Sequence, residues 1–101
     1  VKATVVDNVQ LSRFEIVHDG ALAGFAEYER SDGVITFTHT EIDEAFAGKG
    51  LASILIKHAL DDARAAGVAV LPVCPFVRGY IAKHPEYLDL VSEDRRAQYE
   101  L

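Results

Sequence analysis

One cysteine, Cys74, stands in 101 residues. No intrachain disulfide can form, and a reducing, cytoplasmic setting is the expected one. Positive charge is also scarce: ten lysines and arginines face sixteen aspartates and glutamates, for a formal charge of −6 at pH 7. With no basic surplus to neutralise a phosphate backbone, general nucleic-acid binding is excluded. Long apolar runs are missing too. None approaches the ~20 residues of a membrane helix, and residues 1–7 lack the apolar core of a secretory leader. Prolines are few, glycines are scattered, and 50% of the residues are hydrophobic. This composition predicts one globular domain over residues 1–101. A domain of this size buries a limited core, so a ligand or a partner contact should matter to its stability. A monomer or weak homodimer is expected.

Residues 3–6 are β-prone, and residues 12–18 read as a strand with Phe14, Ile16 and His18 on one face. Asp19-Gly20 and Ser31-Asp32-Gly33 are turn signals that bracket a strand over 22–29 and precede another over 34–42. Short turns between these runs predict an antiparallel meander. The period then changes. Leu51, Ala52, Leu55, Ile56, Ala59, Leu60 and Ala63 form one helical stripe, with Lys57, Asp61, Asp62 and Arg64 mostly opposite. Gly67 is placed to end that helix. Residues 68–74 are apolar on both faces, which predicts a central strand covered on both sides and paired in parallel. Strand, helix and strand make a right-handed β-α-β crossover. Pro72 predicts that pairing stops or bulges near the carboxyl end of the last strand. A short helix over 76–83 is broken by His84-Pro85, and the charged tail from Ser92 to Leu101 carries a helical turn or two. The fold class is mixed α/β (α+β).

The junction over residues 42–53, Ile-Asp-Glu-Ala-Phe-Ala-Gly-Lys-Gly-Leu-Ala-Ser, holds Gly48, Lys49 and Gly50 between strand and helix. Amides at a helix start point outward unpaired, and the helix dipole favours an anion there. Three phosphate loops compete for this site. A Walker-type loop needs Ser or Thr after its lysine, and Gly50 follows Lys49. A dinucleotide fingerprint needs a third glycine where Ser53 stands, and an acidic residue where Leu71-Pro72-Val73-Cys74 lies. The third is the pyrophosphate loop of acyl-CoA-dependent acetyltransferases, [Q/R]-x-x-G-x-[G/A]. Gly50 and Ala52 fill its glycine and small-residue positions, Gly48 and Lys49 the intervening ones, and Ile42 the aliphatic one before it. Ala47 replaces the usual Gln or Arg, which leaves the backbone cradle without a side-chain phosphate contact. With residues 74–80, Cys-Pro-Phe-Val-Arg-Gly-Tyr, and 84–87, His-Pro-Glu-Tyr, the chain resembles the GNAT superfamily of N-acetyltransferases. The match, over roughly residues 10–90, is to a subgroup of very short single-domain GNAT-like (YidJ-type) proteins.

The resemblance implies a GNAT-like mixed sheet whose central strand and parallel neighbour splay apart around an acyl-pantetheine arm. It implies transfer of an acetyl group from acetyl-CoA to a primary amine on an unidentified acceptor, small molecule or protein. Thr40, Glu41 and Ile42 would line the arm through their backbones, and Gly48, Lys49, Gly50, Leu51, Ala52 and Ser53 would hold the pyrophosphate. Bland readings stand beside these: a plain tight turn, a solvated Lys49, a Ser53 bonded to backbone. Cys74 is either an acyl-accepting nucleophile with His39 as its base or a small buried side chain lining the acetyl pocket. His39 is either a general base, directly or through water, or a satisfied strand histidine. If Phe37 faces the core, His39 and Glu41 share that face unless a bulge intervenes, and a splay calls for one. Tyr80 follows Cys74 by six residues, near where the family often places a tyrosine acid at seven; proton donor and cofactor packing are both open. Tyr87 would close the second helix against the core, and Arg78 and Lys83 either reach a 3′-phosphate or solubilise their helix. No pair among His18, His39, His58 and His84 has metal spacing with Cys74, so no metal is expected. The alternative function is a CoA-binding module or sensor without efficient catalysis.

Overall fold

A computed structural model of the chain describes residues 3–48 and 50–101. Five strands form one sheet in the order β1 (Ala3–Asn8), β2 (Arg13–His18), β3 (Ala21–Ser31), β4 (Val34–Ile42) and β5 (Ala69–Pro72). The first three pairings are antiparallel and the β4–β5 pairing is parallel. Asp19-Gly20 (φ 51° and 80°) and Asp32-Gly33 (φ 46° and 77°) put two successive residues in the left-handed region. That geometry follows the right-handed twist of the flanking strands and sets hairpin register at both turns.

Alternation in β2 buries Phe14, Ile16 and His18 on one face. The helix α1 (Leu51–Ala66) covers that face with Leu51, Leu55, Ile56, Ala59, Leu60 and Ala63. These meet Ala26, Ile35, Phe37 and Val70 in a continuous core. Each fully buried large side chain there contributes about 1.5–3 kcal/mol. Gly67, at φ 71°, ends α1 by donating its N–H to Ala63 O and Arg64 O. The opposite face of β2–β4 has no buried residue among Glu15, Val17, Phe25, Glu27, His39 and Glu41.

β5 departs from expectation. Among the described residues it is the edge strand, paired with β4 and no other, not a central strand covered on both sides. Ala69 N–H donates to Gly33 O of the preceding turn. By the two-residue alternation, the ring nitrogen of Pro72 faces the free edge, where a missing donor is harmless. Pairing does stop there, as Pro72 predicted: Phe37↔Pro72 is the last register position. Val73 N–H folds back to Leu71 O, and α2 (Pro75–Lys83) begins. A proline at the first helical position lacks only a donor that the helix start would leave unpaired anyway.

The segment after α2 is tied to α1. Tyr87 Oη donates to Asp61 Oδ1 at 2.7 Å, and Lys57 Nζ reaches Asp61 Oδ2 at 2.9 Å. Arg64 grips Asp89 with two bonds of 2.7 and 3.0 Å and Glu86 O with a third of 2.7 Å. Tyr87 thus closes α2 against the core from the 3-10 stretch Pro85–Leu90. The tail holds a short helix, α3 (Glu93–Arg96), and a 3-10 turn that buries Tyr99. No helix among the described residues is long and apolar enough to cross a membrane.

Candidate active site

β4 loses its β5 partner beyond Phe37, whose carbonyl takes a last bond of 2.8 Å from Cys74 N–H. Residues 38–42 therefore border a gap on that side. A bulge helps to open it. Glu27 pairs with His39 and Tyr28 with Phe37, so Thr38 is the extra residue and the face alternation is reset after it. Thr40 and Ile42 turn to the α1 side and are half-buried, while His39 and Glu41 point to the opposite, exposed face. Beyond the bulge, Asp43 N–H donates to Ala23 O across the β3 junction. Counting back by twos, the peptide groups of His39 and Glu41 face β3, and those of Thr40 and Ile42 face the gap. Of the three residues expected to line an arm by backbone, Glu41 is the one whose peptide group the gap does not receive.

Cys74 stands on the other wall, 3% exposed, with its thiol donating to Thr40 Oγ1 at 3.4 Å. That side-chain contact was not legible from the chain, where Thr40 figured only through its backbone. His39 is not brought to Cys74. Its ring lies 6.2 Å from Phe25 on the exposed face, with Nε2 3.4 Å from Glu41 Oε2. A thiol and imidazole acting together would need both on one side of β4, and the bulge at Thr38 separates them.

The junction from β4 to α1 begins with a 3-10 turn, Glu44–Phe46, capped by Asp43 Oδ1 on Ala45 N–H at 2.9 Å. Phe46 reaches back to the core edge-on to His18, 5.6 Å between ring centres. Gly48 and Gly50 follow at φ 80° and 72°, and Gly50 caps α1 without any side-chain bond. The amides of Leu51, Ala52 and Ser53 precede the first intrahelical bond, Ile54 N–H to Gly50 O, and no acidic residue occupies that turn. Among the described residues, nothing lies within 4 Å of where a Cβ would stand at Gly48 or Gly50. Lys49 lies outside the described residues.

Ser53 also lines a hollow of about 240 Å³ between α1 and α2, with Phe76, Gly79, Tyr80, Lys83 and His84. Tyr80 stacks on His84 at 4.1 Å, and burial, with Glu86 and Asp61 nearby, raises its hydroxyl pKa against the pull of Lys57. Arg78 and Lys83 take part in no ion pair among the described residues. A larger hollow of about 450 Å³ lies at the far end of β3 and β4, lined by Leu22, Ala23, Gly24, Phe25, Glu41, Ile42, Asp43 and Glu44. Gly24 escaped notice in the sequence, although an isolated glycine inside a strand is a known sign of close backbone approach. A Cβ there would collide with Glu41 O and lie 2.5 Å from Ile42 Cδ1. No group of three or more His, Cys, Asp or Glu side chains is placed to hold a metal among the described residues.

Residues 13–90 match the family described as GCN5-related N-acetyl-transferase. Among solved structures, the ribosomal-protein-S18-alanine N-acetyltransferase of Escherichia coli is 25% identical with a TM-score of 0.55, over 57% of this chain and 38% of that one. A GCN5-like protein from Staphylococcus aureus is 19% identical with a TM-score of 0.65, over 90% of this chain and 87% of that one. N-acetylglutamate synthase from Neisseria gonorrhoeae, solved with coenzyme A and N-acetyl-glutamate, is 20% identical with a TM-score of 0.51, over 88% of this chain and 22% of its own length. The last two identities establish likeness of fold. The chain thus spans well under half of the Escherichia coli enzyme. No functionally curated protein sequence matches it.

Proposed function

The chain belongs to the GCN5-related N-acetyl-transferase family, and from that premise we propose that it moves the acetyl group of acetyl-CoA onto a primary amine by direct attack. The observation that carries this reading is the gap beyond Phe37, walled by Thr40 and Ile42 and continuous in sequence with uncapped amides at α1. A thioester arm with a diphosphate behind it needs those two features in that order. The hollow bounded by Ser53, Phe76 and Tyr80 adds room beside them. The residues present fit the cosubstrate.

In this reading the diphosphate rests on the amides of Leu51, Ala52 and Ser53, with Gly48 and Gly50 bending the backbone to present them. Lys49, between the two glycines in the sequence, would offer a cation to the diphosphate. Thr40 and Ile42 hold the arm by their peptide groups, and a β4 amide in the gap polarises the thioester carbonyl. The neutral amine forms a bond to the carbonyl carbon and the carbon–sulfur bond breaks. The proton leaves the amine nitrogen, and CoA departs as a thiolate. A free thiol has a pKa near ~8.5, so this leaving group needs little acid assistance. His39, held by Glu41 on the exposed face, takes the proton through water. Cys74 and Thr40 shape the acetyl end, and Tyr80 packs the arm. Placement in the short single-domain branch, a cytoplasmic location and a monomeric or weakly dimeric state belong to the same reading, and the lone thiol of Cys74 supports the reducing location.

A second reading has its own support. Ala47 offers no side chain to the phosphates, and the His39 and Glu41 side chains lie across the sheet from Cys74. Both suit a CoA-binding module without efficient turnover. Thermal shift with acetyl-CoA and with NAD separates these ideas from a dinucleotide protein. A ligand at a hundred times its dissociation constant adds about 2.7 kcal/mol, a rise of about 10–20 °C in Tm at this chain length. Acetyl-CoA should produce it and NAD should not. Mass-detected product across an amine panel then decides between enzyme and module. Absence of any shift with acetyl-CoA removes both.

A further inference from the structure

Among the described residues, the sheet face opposite α1 is uncovered across β2–β4, and its chemistry is lopsided. Glu15, Glu27, Glu29 and Glu41 project there against one arginine, Arg13. The cross-strand partners Glu27↔His39 and Phe25↔Glu41 interleave these carboxylates with two flat rings. Arg13 satisfies Glu15 at 2.8 Å and lays its guanidinium 4.5 Å over Phe25. Glu27 and Glu29 make no ion pair among the described residues. At the corner beside β4, Leu22, which is 46% exposed, and Phe25 share the 450 Å³ hollow with Glu41, Asp43 and Glu44.

We propose that this face docks a lysine-rich peptide segment of a protein acceptor, its reacting amine entering the β4 gap and its next residues running along β3 from Phe25 to Glu29. The inference rests on the acetyl-transfer reading and names the acceptor class for that same site. Charge complementarity is the first argument: excess glutamate on a bare sheet face calls for a cationic partner. Apolar surface among the carboxylates is the second. Lysine stems lie along Phe25 and Leu22 while their ammonium heads reach the glutamates. A linear polyamine carries methylene stems too, but it follows one line, whereas the carboxylates spread over three strands, about 10 Å across, a breadth that branching lysine side chains span. From Phe25 to Glu29 the face runs about 13 Å at strand rise. This equals about four residues of extended peptide, so the basic residues belong within about four positions of the acetylated one.

A fluorescent peptide carrying four successive lysines after its first residue tests this, beside the same peptide with glutamines, by anisotropy without acetyl-CoA. The lysine peptide should bind, weaken with added salt, and bind the Glu27→Gln/Glu29→Gln variant at least about threefold less tightly. Glu93→Gln/Asp94→Gln on α3, the same loss of charge elsewhere, should leave that affinity unchanged. Acetyl-CoA affinity should stay the same in both variants. Where the double variant fails to fold, the exposed Glu29→Gln alone replaces it and should weaken binding in the same direction. Equal binding of both peptides, or equal weakening by the α3 variant, overturns the proposal, as does a lower KM for spermidine than for the peptide. Loss of acetyl-CoA binding and of all amine turnover would instead sink the acetyl-transfer reading, while peptide anisotropy judges the face by itself.

Discussion

Gly24→Ala probes the join between sheet packing and the gap. Gly24 sits opposite Ile42, and its backbone is ordinary, with no positive φ to favour glycine. What requires glycine is space. An added Cβ falls inside contact distance of Glu41 O, 2.5 Å from Ile42 Cδ1 and 3.1 Å from Ile42 Cα. The Ile42 methyl can swing away; the Glu41 carbonyl cannot, so β4 must retreat on the order of 1 Å to restore van der Waals separation. Overpacking of this kind costs about 1–3 kcal/mol, and a domain of this length loses about 4–8 °C of Tm per kcal/mol. The expected drop is about 5–20 °C. Ile42 carries a peptide group of the gap, so the same displacement should lower acetyl transfer by about 10²-fold, even at temperatures where the variant is folded. Calorimetry gives the first quantity, and turnover with a saturating amine at 15–20 °C below the variant's Tm, about two such steps, gives the second. A Tm within about 2 °C of the parent, together with unchanged turnover, would refute the close approach and the role of β4 in lining the gap.

Gly79→Ala is the converse case. Nothing lies within 4 Å of the new Cβ, so α2 should gain about 0.5–1 kcal/mol, while acetyl-CoA affinity falls if the hollow beside Ser53 is part of its site; both are read by thermal titration. Gly50→Glu should abolish acetyl-CoA binding with the fold intact, because it sets a carboxylate at the helix start where the diphosphate rests; unchanged affinity in calorimetric titration contradicts that placement. Cys74→Ala should retain most activity, since transfer is direct, whereas a trapped acetyl-cysteine seen by mass spectrometry would reverse that reading. Acid stability should depend on two carboxylates. Burial pushes Asp61 up, but hydrogen bonds from Lys57 and Tyr87 more than reverse this, and the Arg64 hydrogen bonds hold Asp89 down. Folded-state values below the unfolded 3.8 mean that this stabilisation is present above that pH and is lost as pH falls through the folded values. Urea unfolding of Asp61→Asn and Asp89→Asn should therefore show a shallower acid decline than the parent.

Residues whose role is local were legible in the chain. The stripe from Leu51 to Ala63 and the stop at Gly67 gave a sixteen-residue helix in place, because a 3.6-residue period is written in consecutive positions. Asp19-Gly20 and Asp32-Gly33 specified their hairpins, since paired left-handed residues suit only such turns. The glycines before α1 announced open amides in the same way. Harder were β5, whose doubly apolar run implied a covered central strand, and His39, whose face depended on one bulge.

Backbone preference and hydrophobic period act over a few neighbouring residues, so the chain alone determined its elements, their order, the crossover and the amide-rich turn. Only the tertiary structure decided that β5 ends the sheet, that Thr38 sends His39 and Cys74 to opposite sides, and that Thr40 meets the Cys74 thiol. Those outcomes depend on pairing register and on contacts between residues such as Thr40 and Cys74, far apart in the chain, and no period along the sequence encodes such a meeting.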